Sequence, residues 1–157
     1  MILNNDYRDI LHALSERKVK FILVGAYAMA AHGYPRSTMD IDLWIRPEHE
    51  NAGLVLKALE DFGAPTGDLS QDDLQKEDIV FQIGVAPRRI DILTSVDGVK
   101  FEDAFSHSEI VDIDGIPVHI MSIPDLILNK RSTGRFKYLA DAETLESPNG
   151  LGNVKLR

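Results

Sequence analysis

The chain has 157 residues, a net charge of −8 and 44% hydrophobic residues. This length fits one domain with a sizeable core, and the acidic balance argues against a surface coated with nucleic acid, since such binding depends on neutralised phosphates. Cysteine is absent, which excludes a disulfide framework and a thiolate metal site. We expect a cytoplasmic protein without a membrane anchor, because the sequence shows neither a signal-peptide pattern nor an apolar run near the roughly 20 residues of a membrane span.

The first half of the chain alternates predicted helices and strands. Tyr7, Ile10, Leu11 and Leu14 recur at helical spacing. An apolar run ending at Gly25 predicts a buried strand, and the small residues up to Gly33 predict a short, tightly packed helix. Together the patterns predict helix 6–19, strand 20–25, helix 26–33, strand 39–45 and helix 48–63, the last with an acidic first turn and a glycine stop.

The second half begins with a polar loop and continues with strands and helices. We predict a loop at 64–78, strands at 79–84 and 88–96, a hairpin with an Asp-Gly turn at 112–120, and helices at 122–131 and about 135–145. Ser122 is the expected N-cap of the first of these helices, with Asp125 three residues later. The order indicates one α/β (α+β) domain over 1–146: a mixed sheet flanked by helices, with helices at the C-terminal end and a frayed tail at 147–157.

Two aspartates stand one residue apart in an apolar strand, in the sequence "MDIDLWI". Side chains alternate along a strand, so Asp40 and Asp42 face the same side. An unpaired buried carboxylate is costly, which makes a cation the first candidate partner. Oxygen ligands without histidine or cysteine favour Mg²⁺ or Mn²⁺.

A third acid, Asp91, stands in the middle of a later strand, and Arg89 shares its face. Taken alone, a single acid in a strand is typical of the surface. A pair of aspartates is also common, and Asp112 with Asp114 flanks a turn that explains both residues without a metal. The conjunction is more informative: a strand ending in glycine, a short helix, the acid pair, and a further acid.

This arrangement resembles the nucleotidyltransferase fold, the DNA polymerase β-like superfamily. The matching stretches are "VGAYAMAAHGYPRSTMDIDLWI" and "IDIL", and "IPDLILNKRSTGRFKYLADAETL" is similar to the tail of small bacterial nucleotidyltransferases related to abortive-infection and toxin–antitoxin proteins. The tail matches at Asp125, Lys130, Arg135, Lys137 and Asp141.

The resemblance implies a metal-dependent nucleotidyltransferase. It would move a nucleoside monophosphate from a nucleoside triphosphate to an acceptor hydroxyl, with release of pyrophosphate. The implied catalytic and metal-binding residues are Asp40, Asp42 and Asp91, with Mg²⁺ or Mn²⁺. The implied nucleotide-binding residues are Gly25, Ala26, Arg36, Thr38, Lys130 and Arg135. The acceptor stays open between a small molecule, a tRNA end and a partner protein, and a toxin–antitoxin partner is a further expectation.

Two departures from the family pattern support a different class. The usual serine after the glycine is Ala26, so only backbone N–H groups remain for a phosphate, and the usual Lys-Asp of the tail reads Lys137-Tyr138. A degenerate module that binds nucleotide or serves as an antitoxin is therefore the alternative. A metal-dependent phosphoesterase is a poorer one, because the sequence has no His–Asp cluster.

Several residues also have ordinary structural interpretations. Gly25 can be explained by a tight turn and Arg36 by a structural ion pair. Lys130 and Arg135 can be explained as solvated charges on a helix. Lys137 and Asp141 have the spacing of a helical salt pair. Core packing is the favoured interpretation of Trp44 over base stacking, and a helix end that of His32 over a metal ligand.

Overall fold

The computed structural model describes residues 3–34, 40–85, 88–133 and 143–146. Its strands form one six-stranded mixed sheet in the order β3-β4-β2-β1-β6-β5. The strands are β1 Phe21–Val24, β2 Ile41–Ile45, β3 Val80–Ile83, β4 Ile90–Leu93, β5 Glu109–Ile113 and β6 Ile116–Ile120.

Helices flank the sheet, as the sequence predicts. They are α1 Asn5–Glu16, α2 Gly25–Ala31, α3 His49–Phe62, α4 Phe101–His107 and α5 Ile123–Ser132, with a short 3₁₀ turn at Asp73–Gln75. The predicted mixed sheet flanked by helices is therefore confirmed. In the part of the chain that the structure describes, no helix is both long and apolar enough to cross a bilayer.

The pairings of β2 with β1 and with β4 bring one end of each of these three strands together. Strand β1 pairs antiparallel with β2, so the end of β1 lies beside the start of β2: Val24 faces Asp42. Strand β4 pairs parallel with β2 and therefore starts at that same edge of the sheet. Loops and side chains that gather at this edge come from three separate parts of the sequence.

Local sequence signals account for several of these boundaries. Gly63 ends α3 in the left-handed conformation at φ 94°. The predicted Asp-Gly hairpin turn is confirmed: Asp114 and Gly115 both have positive φ, 51° and 83°, as a two-residue turn of this kind requires. Ser122 caps α5 by accepting a hydrogen bond from the Asp125 N–H.

Other boundaries differ from prediction. The sequence predicts no element at Phe101–His107, which forms α4. This helix has only seven residues, two of them buried, and no side-chain N-cap, so it carries no periodic signal. The loop at 64–78 contains the 3₁₀ turn. Strand β2 starts at Ile41, one residue after Asp40. Of the predicted last helix, residues 143–146 are helical, and the remainder and the 147–157 tail lie outside the described residues.

A buried amide fastens α3 to the sheet. Asn51 is 3% exposed. Its Oδ1 accepts from the Lys20 N–H at 2.8 Å, and its Nδ2 donates to the carbonyls of Lys20 and Arg46, each at 3.0 Å. The side chain thus joins the residue before β1 to the residue after β2, which also share a backbone hydrogen bond from the Arg46 N–H to the Lys20 carbonyl at 3.1 Å.

Asn51→Ala should lower the free energy of unfolding by about 1–3 kcal/mol, because it removes the acceptor of the partly buried Lys20 N–H and the donor to two backbone carbonyls. Urea denaturation followed by the fluorescence of Trp44, the only tryptophan, measures this. Lys57→Ala, exposed on the same helix, is the control and should change stability by less than about 0.5 kcal/mol. Equal effects of the two substitutions would contradict the fastening role.

Candidate active site

Strand register places two of the predicted acids side by side. Asp42 of β2 is the direct partner of Asp91 of β4 in the parallel pairing. Paired residues on neighbouring strands have side chains on the same face, about 5 Å apart at the backbone. Asp40 lies two residues before Asp42 and joins the same face. The structure therefore brings together all three carboxylates that the sequence singled out.

Arg89 supplies the positive charge that contacts these acids. Its Nε and Nη2 donate to the two oxygens of Asp91 at 2.7 and 3.0 Å. The Nη2 is also 3.2 Å from Asp40 Oδ2. The hydrogen bond to Asp91, the main cause, raises the pKa of Arg89 above its ordinary value, so the guanidinium is permanently charged. One side chain thus bridges two of the three carboxylates.

Asp42 has the strongest electrostatic perturbation of the three acids. Burial is the main cause, and the neighbouring Asp91 and Asp40 add to it; together they raise the pKa of Asp42 to about 7. Arg89 opposes this shift but is outweighed. Asp42 is the direct strand partner of Asp91, so two like charges lie on one face of the sheet. Strongly perturbed carboxylates in contact are characteristic of functional sites.

Gly25 leaves room for the Asp42 carboxylate. A Cβ built on Gly25 would collide with Asp42 Oδ2. The residue also has φ +69°, in the left-handed region. The β1–α2 turn therefore requires glycine for its backbone conformation and for the close approach of the acid, which supports the tight-turn interpretation. Ala26 lies in the first turn of α2 and brings no hydroxyl to the site.

A buried tyrosine fixes the backbone that carries Arg89. The Tyr7 hydroxyl of α1 donates to the Arg89 carbonyl at 3.2 Å, and the Ile41 N–H donates to the same oxygen at 3.0 Å. Burial, with Tyr27 and Asp40 adding to it, raises the pKa of Tyr7 to about 12, so the hydroxyl keeps its proton. On its other side, the Arg89 N–H donates to Asp40 Oδ1 at 2.9 Å.

The donor chemistry of the three acids fits a hard divalent cation, but their present cation is a guanidinium. Among the described residues, no three histidine or acidic side chains are arranged to hold a metal ion as they stand. Asp91 uses both oxygens on Arg89, and Asp40 uses one on the same side chain and one on the Arg89 N–H. Asp42, which lies against Gly25, forms no ion pair with any described cationic side chain. The role of the acids as metal ligands stays a prediction.

Lys130 is not a solvated helix charge. It lies in the last turn of α5 and is only 5% exposed, so that interpretation is wrong. A nucleotide-binding role stays a prediction. Arg36, Thr38 and Arg135 lie outside the described residues, as do Lys137, Tyr138 and Asp141.

Two structural interpretations are confirmed. Trp44 is 2% exposed and packs edge-on against Phe101, with ring centres 5.2 Å apart. Its indole N–H donates to the Thr94 carbonyl at 3.2 Å. His32 follows the last residue of α2, and its Nε2 is 2.8 Å from the Met121 carbonyl. Both residues serve the fold.

Arg89 is the site residue whose role the sequence analysis did not assign. The available signal was its position two residues before Asp91, which puts both side chains on one strand face. Its contact with Asp40 depends on how β4 pairs with β2, and that pairing is not local in sequence.

Comparison with known proteins agrees with this geometry. Residues 3–147 match the model of a family described as nucleotidyl transferase of unknown function (DUF2204). The chain belongs to this nucleotidyltransferase family. The resemblance drawn from the acid motif is thereby confirmed. A comparison with curated proteins finds no significant match.

Solved structures share the fold of this nucleotidyltransferase-family chain at low sequence identity. A candidate nucleotidyltransferase from Thermotoga maritima is 15% identical, with a TM-score of 0.59 over 92% of each chain. The antibiotic-resistance factor ANT(2″)-Ia in solution is 20% identical, with a TM-score of 0.61 over 96% of this chain and 86% of that one. The crystal structure of ANT(2″)-Ia with adenylyl-2″-tobramycin is 19% identical in sequence, with a TM-score of 0.52 over 94% of this chain and 82% of that one.

Gly25→Ala should destabilise the protein more than a glycine substitution that meets no neighbour. Gly115 is the matched control, since it also has positive φ and an added Cβ meets nothing within 4 Å. Gly115→Ala should lower the free energy of unfolding by about 1–2 kcal/mol, because alanine disfavours the left-handed backbone conformation. Gly25→Ala should lower the free energy of unfolding by about 1 kcal/mol or more beyond the loss in Gly115→Ala, because it displaces the Asp42 carboxylate. Equal losses in urea denaturation would show that the close approach is unimportant.

Asp42→Asn should stabilise the protein without metal, increasingly so as pH rises. The folded-state pKa of Asp42, about 7, exceeds its ordinary 3.8. The folded state therefore retains a proton that the unfolded chain has lost, and wild-type stability falls between about pH 4 and pH 7. Asparagine does not titrate, so its advantage should grow across this interval by on the order of 2–4 kcal/mol.

Urea denaturation in EDTA at pH 5 and pH 8 tests this expectation. Asp68→Asn, at an exposed loop position, removes the same charge and corrects for net charge. A loss of stability in Asp42→Asn that is equal at both pH values would identify Asp42 as a structural acid held by other groups.

Proposed function

We propose that the chain catalyses nucleotidyl transfer: a nucleoside monophosphate passes from a nucleoside triphosphate to an acceptor hydroxyl, and pyrophosphate leaves. The observation that supports this most is the contact of Asp42 and Asp91 on paired strands, beside a glycine that keeps space for them. Carboxylates forced together at the edge of a sheet destabilise the metal-free protein, so their presence argues for a ligand that uses them.

In this proposal Asp40, Asp42 and Asp91 hold Mg²⁺ or Mn²⁺. A divalent cation bound there would neutralise charge on the triphosphate and make the acceptor hydroxyl more acidic. Asp91, the strand partner of Asp42, is proposed to take the hydroxyl proton. Lys130, and Arg36, Thr38 and Arg135 beyond the described residues, are proposed to contact the nucleotide, together with the backbone of Gly25 and Ala26.

The acceptor is proposed at the level of chemical class. The fold neighbour ANT(2″)-Ia has been crystallised with adenylyl-2″-tobramycin, in which an adenylyl group is joined to an antibiotic. A hydroxyl on a small molecule is accordingly the first acceptor to test here, followed by a tRNA end and a partner protein.

One observation favours a second candidate, a binding module without catalysis. Arg89 pairs with Asp91 and Asp40, and such an internal ion pair accounts for two of the acids without any metal. Ala26 also lacks the hydroxyl of the family pattern. Such a module would act through a partner, for example in a toxin–antitoxin pair.

Binding of each labelled triphosphate, with Mg²⁺ and with EDTA, separates the two candidates. The enzyme should bind at least one triphosphate in a Mg²⁺-dependent way and transfer α-phosphate label to small molecules, RNA or protein of a cell extract. Absence of both Mg²⁺-dependent binding and transfer, for all four nucleotides, would contradict the proposed activity and favour the module.

Asp42→Asn should lower label transfer at least about 100-fold, the usual scale for removing one group that stabilises transition-state charge. The same variant should keep or gain metal-free stability, so the loss cannot be ascribed to unfolding. Asp68→Asn is the matched control and should transfer label as wild type does. Retained activity in Asp42→Asn would remove that residue from the catalytic set.

A further inference from the structure

The guanidinium of Arg89 uses the oxygens that a metal ion would need. Its Nε lies 2.7 Å from Asp91 Oδ1, and its Nη2 lies 3.0 Å from Asp91 Oδ2 and 3.2 Å from Asp40 Oδ2. Both oxygens of Asp91 are thus engaged in a bidentate pair, the strongest geometry available to arginine and carboxylate. A cation that coordinates Asp91 together with Asp40 must replace some of these contacts.

Hydrogen bonds fix the backbone of Arg89, whereas its side chain is partly exposed to solvent. The Arg89 carbonyl accepts from the Tyr7 hydroxyl and the Ile41 N–H, and its own N–H donates to Asp40 Oδ1. The side chain is 28% exposed, whereas that of Asp91 is 9% exposed. A change of the Arg89 rotamer would free both oxygens of Asp91 and Oδ2 of Asp40, while Asp40 Oδ1 keeps its bond to the Arg89 N–H.

We propose that Arg89 is the resident counter-ion of the carboxylate site, and that a divalent cation and the triphosphate exchange with it: the cation takes its place on Asp91 and Asp40, and the phosphates take up the freed guanidinium. This inference rests on the proposed nucleotidyl transfer. Phosphate offers arginine the same planar, bidentate recognition as carboxylate. The site thus keeps a compensating charge at each stage of the exchange.

The exchange makes metal and nucleotide binding interdependent. In the absence of nucleotide, a metal ion has to displace Arg89 without any alternative partner for the guanidinium. With triphosphate present, the guanidinium gains phosphate contacts when it leaves the acids. By linkage, each ligand must then favour the binding of the other to the same extent.

Replacing Arg89 should change the two affinities in opposite directions. For nucleotide-free protein titrated with Mn²⁺ and followed by electron paramagnetic resonance of the free ion, Arg89→Gln should bind Mn²⁺ about tenfold or more tightly than wild type. For a non-hydrolysable triphosphate analogue with saturating Mg²⁺, measured by calorimetry, the same variant should bind about tenfold more weakly. A purely structural role for Arg89 would weaken both.

Arg88→Gln is the matched control, because it removes the same charge from an exposed neighbouring position. Its Mn²⁺ affinity should stay within about threefold of wild type, the contribution of general electrostatics. If Arg89→Gln does not fold, Arg89→Lys is judged by the same criterion, since lysine keeps the charge but cannot form the bidentate pair. Unchanged or weaker Mn²⁺ binding in the folded Arg89 variant would overturn the proposal.

The outcome is separable from that of the proposed function. Wild type that binds Mg²⁺-triphosphate and transfers label, with Arg89→Gln binding Mn²⁺ no more tightly, would overturn the exchange alone. Tighter Mn²⁺ binding by Arg89→Gln, in a chain that transfers no label to any acceptor, would support the displacement and overturn the enzymatic function.

Discussion

The parallel register between β2 and β4 is the constraint on which the site depends. It makes Asp42 and Asp91 direct neighbours, and neighbouring strands have a fixed separation of about 5 Å. The backbones of the two residues cannot move apart without breaking the ladder. Asp40 adds a third acid on the same face. Burial is the main cause of the raised pKa of Asp42, and the repulsion from Asp91 and Asp40, strengthened by reduced solvent screening, adds to it.

Neighbouring residues accommodate these charges in separate ways. Gly25 provides space, since any side chain there would meet the Asp42 carboxylate. Arg89 provides charge, and Tyr7 with Ile41 fixes the backbone from which Arg89 extends. Well-packed apolar residues at such positions are often as stabilising as a buried ion pair, or more so. A fold that required only stability would have no need of three acids, one arginine and a left-handed glycine turn at one edge of its sheet.

The sequence predicts those features that depend on neighbouring residues. The Asp114-Gly115 turn, the Gly63 stop of α3 and the pairing of Asp40 with Asp42 on one face follow from local conformational preferences. Features that depend on distant packing could not be predicted in this way. The contact of Arg89 with Asp40 requires the β2–β4 register, and the burial of Lys130 requires the docking of α5. Helix α4 cannot be predicted from the sequence, because seven residues with two buried positions give no periodic pattern.

Arginine has a property here that lysine does not share. Its planar fork can satisfy both oxygens of one carboxylate and still reach a second acid, as Arg89 does with Asp91 and Asp40. The same fork fits phosphate, so a guanidinium can leave a carboxylate for a phosphate without losing the kind of hydrogen bonds it makes. A point charge such as ammonium would gain less from either partner. In the exchange that we propose, Arg89 offsets part of the charge of the acid cluster when no metal is bound, and it leaves the carboxylates for the phosphates when metal and nucleotide bind.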